Sequence, residues 1–298
     1  MKYDNINELI GETPLVRIHS ISTHPDVKVY AKLEGQNPGG SVKDRAAYGM
    51  LKGALDRGDI TTGSHVVEAT SGNTGIALAM IANQYNLKMT LVMPDSATQE
   101  RIDTMRAFGA EVILTPAEKT IEYSRIYAEQ LVAEKGYYML NQFANVDNWR
   151  AHYRTTGPEI WKSSNGKITH FVSAMGTTGT IMGVSRYLKA KDDSIQIIGT
   201  QPTEGSKIPG IRRWSPEFVP AIFDKHRVDR IIDVSRDEAI RSMKLLAQKE
   251  SIFTGLSAGG AYAATEKLVG ELTRGVVVFV CPDPGDRYLS SGVFGVTV

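Results

Sequence analysis

Asn37-Pro38-Gly39-Gly40-Ser41-Val42-Lys43-Asp44-Arg45 joins a strand-like run, residues 27–33, to a stretch of helical periodicity. Pro38 fixes one backbone dihedral, and Gly39 and Gly40 admit conformations that other residues avoid, so the turn is sharply set. Downstream, Ala47, Leu51, Ala54 and Leu55 recur at helical spacing, and Gly58 is the predicted stop. Lys43 therefore falls at a helix N-terminus, where the dipole disfavours a cation. A lysine so placed is a candidate Schiff-base former. On local grounds alone, a solvated surface charge is the commoner role for a lysine.

The strand–glycine–helix grammar of this stretch repeats along the chain. Early short strands are predicted over 13–16 and 27–33. A strand over 65–69 breaks at Thr70-Ser71-Gly72-Asn73-Thr74-Gly75, and a helix over 76–84 follows. Strands over 88–93 and 111–114 alternate with helices over 99–108 and 120–135, and 138–143 reads as extended. A second series starts with a helical stretch over 149–161, interrupted at Gly157-Pro158. Strands over 168–174, 195–200, 231–234 and 276–281 then alternate with helices over 181–189, 236–250 and 261–268. Residues 204–224 have no clear period, and 255–260 reads as a turn. This alternation predicts an α/β fold of two lobes, each a parallel sheet with helical crossovers.

Composition narrows the function. With 298 residues the chain is long enough to bury a large core. A formal net charge of +1 gives no electrostatic footprint for nucleic acid or an anionic membrane. No apolar run approaches the roughly 18 residues of a membrane span. Met1-Lys2-Tyr3-Asp4-Asn5 is polar rather than signal-like. The single cysteine, Cys281, excludes an intramolecular disulfide, fits a reducing cytosol and reads as a core residue closing an apolar strand. The six histidines form no HxxxH pair and no Cys/His cluster, so no metal site is expected.

Three turns lead from strand to helix through glycine: 70–75, 176–180 and 255–260. Glycine lets the backbone approach a ligand, and the helix start offers unpaired N–H groups to an anion. None matches a dinucleotide fingerprint or a P-loop, which counts against a nicotinamide-dependent oxidoreductase. Gly176-Thr177-Thr178-Gly179-Thr180 adds three hydroxyls and suits a phosphate monoester. The 70–75 turn, with Ser71, Asn73 and Thr74, suits a smaller anion such as a carboxylate. Two anion sites, a helix-start lysine and no metal ligands point to pyridoxal phosphate on Lys43.

Five ordered segments carry a resemblance: 40–45, 70–75, 176–180, Ile208-Pro209-Gly210-Ile211-Arg212-Arg213-Trp214, and Gly285-Asp286-Arg287-Tyr288-Leu289-Ser290. Together they resemble the cysteine synthase/cystathionine β-synthase family of β-replacing, fold-type-II pyridoxal-phosphate enzymes, over nearly the whole chain. The resemblance implies a tryptophan synthase β-like fold of two three-layer αβα lobes with the cofactor between them. Residues 1–44 and 150–298 would form the larger, cofactor-binding lobe, and 45–149 a smaller, mobile, substrate-binding lobe. A homodimer is the family expectation, and the composition and single cysteine point to a cytoplasmic protein.

The resemblance also implies roles. Lys43 would hold pyridoxal 5'-phosphate and take the substrate α-proton. Asn73 would contact the ring hydroxyl, Gly176, Thr177, Thr178, Gly179 and Thr180 the phosphate, and Ser257 the pyridine nitrogen. Thr70, Ser71, Thr74 and Gln142 would bind the substrate carboxylate. The implied reaction is ping-pong: O-acetyl-L-serine loses acetate to give a bound aminoacrylate, to which sulfide or thiosulfate adds, yielding L-cysteine or S-sulfocysteine. For Ser257 a helix cap, and for Gln142 a buried amide, are the structural alternatives.

Arg212-Arg213-Trp214 marks the B-type members of the family, and Arg212 suits a dianionic nucleophile. A solvated arginine pair is the other reading of that segment. Cys281-Pro282-Asp283-Pro284 departs from the family pattern, which has an arginine at Pro284 and a cysteine at Pro282. Ala258 replaces a common second serine. O-phosphoserine sulfhydrylase, cystathionine β-synthase and serine dehydratase share the fold and the lysine, and a non-catalytic partner-binding relative is the alternative from another class.

Overall fold

Strand and helix alternate in the order β1 (Leu15–Ile18), β2 (Val27–Leu33), α1 (Lys43–Arg57), β3 (His65–Ala69), α2 (Asn73–Gln84), β4 (Lys88–Pro94), α3 (Gln99–Ala107), β5 (Glu111–Thr115), α4 (Thr120–Lys135) and β6 (Tyr138–Met139). They continue with α5 (Val146–Arg154), α6 (Thr156–Ser163), β7 (His170–Ala174), α7 (Gly179–Lys191), β8 (Gln196–Pro202), β9 (Arg230–Val234), α8 (Arg236–Glu250), α9 (Leu256–Val269) and β10 (Gly275–Cys281). This is a computed structural model, describing residues 2–21 and 24–295. It divides into two units, Met1–Ile10 with Lys43–Asn148, and Gly11–Val42 with Trp149–Val298.

The first unit holds an all-parallel sheet in the order β5-β4-β3-β6. Neighbouring residues on β3 serve opposite faces. Val66 packs with α1, α2 and α3, including Met50, Leu51, Ile81 and Met105, whereas Val67 and Ala69 pack with Ala128 and Leu131 of α4. A strand covered on both faces is buried on both, which accounts for the apolar Val66, Val67 and Ala69, with Glu68 the charged exception. The chain runs outward from β3 to β5 and then returns to β6 on the other side of β3. The carboxyl ends of β3 and β6 therefore flank a topological switch point, where open α/β sheets bind ligands.

The second unit holds a six-stranded sheet in the order β1-β2-β10-β7-β8-β9, parallel except for the β1–β2 pair. Val277 and Phe279 pack with α8 and α9, while Val278 and Val280 face the cluster of Ile160, Ile181 and Leu188 on α6 and α7. Each sheet is thus the middle of three layers. Cys281 closes β10 as a core residue, and burial pushes its thiol up to about 12.

The structure corrects several boundaries. Helices α2, α7 and α9 begin earlier than expected, at Asn73, Gly179 and Leu256. Their glycines mark close packing rather than a break: a Cβ on Gly259 would collide with the Ala239 carbonyl oxygen of α8. The helical stretch after residue 146 breaks at Thr155, not at Gly157-Pro158. Pro158 lies in the first turn of α6, where a missing N–H leaves no intrahelical bond unmade. Of 138–143 only Tyr138–Met139 pairs as strand, because Asn141 turns left-handed (φ 54°). The first strand lies at Leu15–Ile18 rather than 13–16.

Candidate active site

The turn before Lys43 is held from three sides. Gly40 N–H donates to Asn37 O at 2.8 Å, with Gly40 in the left-handed region at φ 81°. The buried Asn37 side chain donates to the Glu34 carboxylate at 2.9 Å and accepts from Gly11 N–H at 2.8 Å. Arg287 donates to the Gly39 carbonyl, and a Cβ on Gly40 would strike its guanidinium. Val42 N–H donates to the Pro282 carbonyl at 2.8 Å. The departure from the family pattern at Pro282 therefore leaves this contact intact, since it uses only the main chain. Lys43, half-buried, is the first residue of α1.

The carboxyl ends of β3 and β6 bring together the residues predicted to bind a carboxylate. Thr70 follows β3, and its N–H donates to Val92 O at 3.0 Å. Gly72 precedes α2 and has no side chain to cap it, so Asn73 and Thr74 lie in an uncapped first turn, suited to an anion. Thr74 Oγ1 donates to Gln142 Oε1 at 2.9 Å, and both residues are buried. Ser71 lies on the same loop, with its carbonyl 3.5 Å from the Arg101 guanidinium. The structure thus places Thr70, Ser71, Asn73, Thr74 and Gln142 in one cluster within the first unit.

The second unit presents the candidate phosphate cradle after β7. Thr178 takes the left-handed conformation (φ 71°) just before α7, uncommon for a β-branched residue. Its Oγ1 is buried and has no hydrogen-bond partner among the described residues. A Cβ on Gly176 would lie 2.8 Å from Gly210 O, so only glycine fits. An orphaned buried hydroxyl and a bare helix start on a glycine turn fit a phosphate monoester. Ser257 is buried in the first turn of α9, in contact range of Gly210. The residue at the capping position is Gly255, which removes the cap reading of Ser257.

Two supporting residues, His152 and Glu68, carry no signal in the sequence, and Trp214 is marked only as part of the 208–214 segment. His152 Nδ1 lies 2.8 Å from Thr156 Oγ1, and its Nε2 lies 3.3 Å from Thr180 Oγ1 at the cradle. Trp214 Nε1 donates to Gly176 O at 3.0 Å, which ties the 208–214 segment to the same loop. Glu68 of β3 is buried and accepts from Asn141 N–H at 2.9 Å and Gln142 N–H at 3.3 Å. Of the arginine pair, Arg213 is engaged by Asp233 at 2.5 Å and by Pro202 O at 2.9 Å. Arg212 is exposed, with its guanidinium 5.7 Å from the Trp214 ring centre and no acidic partner among the described residues.

A family model described as pyridoxal-phosphate dependent enzyme matches residues 6–283. The chain belongs to the pyridoxal-phosphate dependent enzymes. Within this family it is 53% identical over 294 residues to cysteine synthase B of Pseudomonas aeruginosa, covering 99% of this chain and 98% of that one. Identity to cysteine synthase B of Escherichia coli is 50% over 290 residues, 97% of this chain and 96% of that one. The crystal structure of cysteine synthase from Entamoeba histolytica superposes with a TM-score of 0.95 at 34% identity, covering 100% of this chain and 92% of that one. Two sheets, one parallel and one mixed, each between helices, agree with the fold-type-II architecture of these pyridoxal-phosphate dependent enzymes.

Proposed function

We propose that this chain is a cysteine synthase of the B type, a transferase that replaces the acetoxy group of O-acetyl-L-serine with a sulfur nucleophile. The observation that carries this reading is identity of about half to cysteine synthases B over nearly the full length. Lys43, the carboxylate cluster and the phosphate cradle all stand at helix starts, which supports it.

Pyridoxal phosphate, when bound, supplies the electron sink that makes the substrate α-proton acidic. Gly176 to Thr180 would hold its phosphate, Asn73 its ring hydroxyl and Lys43 its aldehyde carbon. Ser257 would face the ring nitrogen with a neutral hydroxyl, which does not favour ring protonation and so steers the reaction toward β-substituent loss. The N–H groups and hydroxyls of Thr70, Ser71 and Thr74, with the Gln142 amide, would fix the substrate carboxylate. Lys43, freed by the incoming amine, would accept the α-proton at Nζ as acetate leaves from Cβ with its bonding pair. After sulfide or thiosulfate adds at Cβ, Lys43 would return the proton to Cα.

Adding O-acetylserine to the purified holoenzyme is expected to shift its visible band, and sulfide or thiosulfate is expected to restore it. A band unmoved by O-acetylserine but shifted by O-phosphoserine or serine would redirect the substrate assignment. No band after added pyridoxal phosphate would exclude the reading.

Use of thiosulfate is the finer part of the proposal, and Arg212 is its residue. Both arginines are exposed, but with Arg213 tied to Asp233 and Pro202, Arg212 is the member of the pair without an acidic partner among the described residues. A charge-assisted contact to a dianion is worth about tenfold in kcat/KM. Arg212→Ala is expected to lower thiosulfate use by about that factor and sulfide use much less. Equal losses on both nucleophiles would remove Arg212 from the site. The family resemblance further supports a homodimer, and the single cysteine a cytoplasmic location. No helix among the described residues is long and apolar enough to cross a membrane.

A further inference from the structure

Glu68 sits at 3% exposure on β3, two residues before Thr70, and is not part of the proposed chemistry. A buried carboxylate is costly unless its oxygens are satisfied. Here its oxygens take the N–H groups of Asn141 and Gln142, at 2.9 and 3.3 Å. Asn141 is held left-handed at φ 54°, a conformation that aims both N–H groups the same way and needs an anchor. From there the connection is direct: Gln142 O accepts from Asn148 Nδ2 at 2.7 Å, and Gln142 Oε1 accepts from Thr74 Oγ1 at 2.9 Å. Every link lies at the switch point of the first sheet, inside one unit.

We propose that Glu68 is a positioning residue for the amino-acid substrate: by clamping the Asn141–Gln142 main chain it holds the Gln142 amide against Thr74, and so sets the affinity of the carboxylate site without touching the ligand. This rests on the reading of Thr70 to Thr74 and Gln142 as that site. The charged groups facing Glu68 come from α4, where Arg125 and Glu129 line the same small cavity, and the 141–143 segment contributes Asn141 and Phe143. Burial outweighs the two N–H donors and the attraction of Arg125, and pushes the carboxyl up to about 7. A carboxylate is a stronger acceptor than a carboxylic acid, so the clamp tightens as pH rises through that value.

Glu68→Gln keeps the shape but presents an NH2 where a second acceptor is needed. In the holoenzyme, exchange of the Asn141 and Gln142 amides is expected to accelerate at least tenfold, with the cofactor's own absorption unchanged. KM for O-acetylserine is expected to rise about tenfold and kcat to fall less, and the KM ratio of variant to parent is expected to grow from pH 6 to pH 8. Taking the ratio cancels titration of the substrate amine. In a Gln142→Ala background the further effect of Glu68→Gln is expected to vanish. Faster exchange with an unchanged KM, or full additivity with Gln142→Ala, would overturn the proposal.

Two outcomes need their own readings. Should Glu68→Gln fail to fold, the parent and Gln142→Ala suffice: the parent's affinity advantage is expected to shrink from pH 8 to pH 6, and a constant advantage would count against Glu68. L-Serine, titrated in parallel through the cofactor's visible band, separates this proposal from the substrate assignment. A parent that binds serine but does not consume O-acetylserine would overturn the latter and leave the Glu68 comparison to be read on serine.

Discussion

Lys43→Ala is expected to lower turnover of O-acetylserine with sulfide by about 10³-fold or more, because in the proposed reaction one side chain would serve as both covalent anchor and proton acceptor. The alternative role, a solvated helix-start cation, predicts a loss of less than about twofold. The geometry of the preceding turn supports the first role. A surface lysine needs no fixed approach, yet this one follows a turn secured by Asn37, by Arg287 on Gly39 and by the Pro282 carbonyl on Val42. Borohydride reduction followed by peptide mapping checks it without a rate measurement. The parent is expected to carry the reduced cofactor on the peptide containing Lys43, and the variant on none. Label on another lysine, with activity retained, would move the chemistry elsewhere.

Gly183→Ala is expected to destabilise the protein by about 3 kcal/mol, at the upper end of core overpacking. Gly183 lies inside α7, where alanine is normally the better helix former. Its added Cβ would collide with Trp149 O, and would lie 2.6 Å from His152 Cβ and 2.8 Å from Tyr153 N. Two of these three are main-chain atoms, which cannot rotate away. The clash also reaches the cradle, because α7 begins at it and His152 touches Thr180. The melting temperature of the holoenzyme is expected to fall by several degrees and cofactor affinity to drop with it. Gly270→Ala is the control: φ is −61° and its Cβ would meet only ordinary contacts at 3.5 and 3.7 Å, so little change is expected. Equal melting temperatures for the two variants would mean that α5 yields at the crossing.

Much of this molecule is legible in one dimension because its signals are local. Apolar runs bounded by Gly, Pro and Asn place the strands β2 and β3, and the spacing of Ala47, Leu51 and Ala54 places α1 with its lysine at the start. Glycine is the ambiguous letter. At Gly40 it marks a turn with positive φ, but at Gly259 it marks a helix pressed against another, and sequence patterning reads both as breaks. The contacts of the supporting residues are invisible for a different reason. Glu68 is bound by N–H groups 73 residues on, His152 reaches a hydroxyl 28 residues away, and Trp214 reaches a carbonyl 38 residues back. Nothing near those side chains in the chain announces their partners. Thr178 is intermediate: its hydroxyl is legible as part of the candidate cradle, but its left-handed backbone emerges only from packing.

The position of β10 bears on how the protein is made. This last strand lies between β2 and β7, near the centre of the six-stranded sheet. During synthesis, β2 leaves the ribosome about 240 residues before its parallel neighbour, a wait of about 10–50 s at ordinary elongation rates. In that interval the β2 edge of the β1–β2 pair lacks its neighbour, while the stretch 43–148 already has every strand of the first unit's sheet. Nascent chains are therefore expected to gain protease resistance first in 43–148, and a chaperone that shields unpaired edges is expected to matter most for residues 15–33.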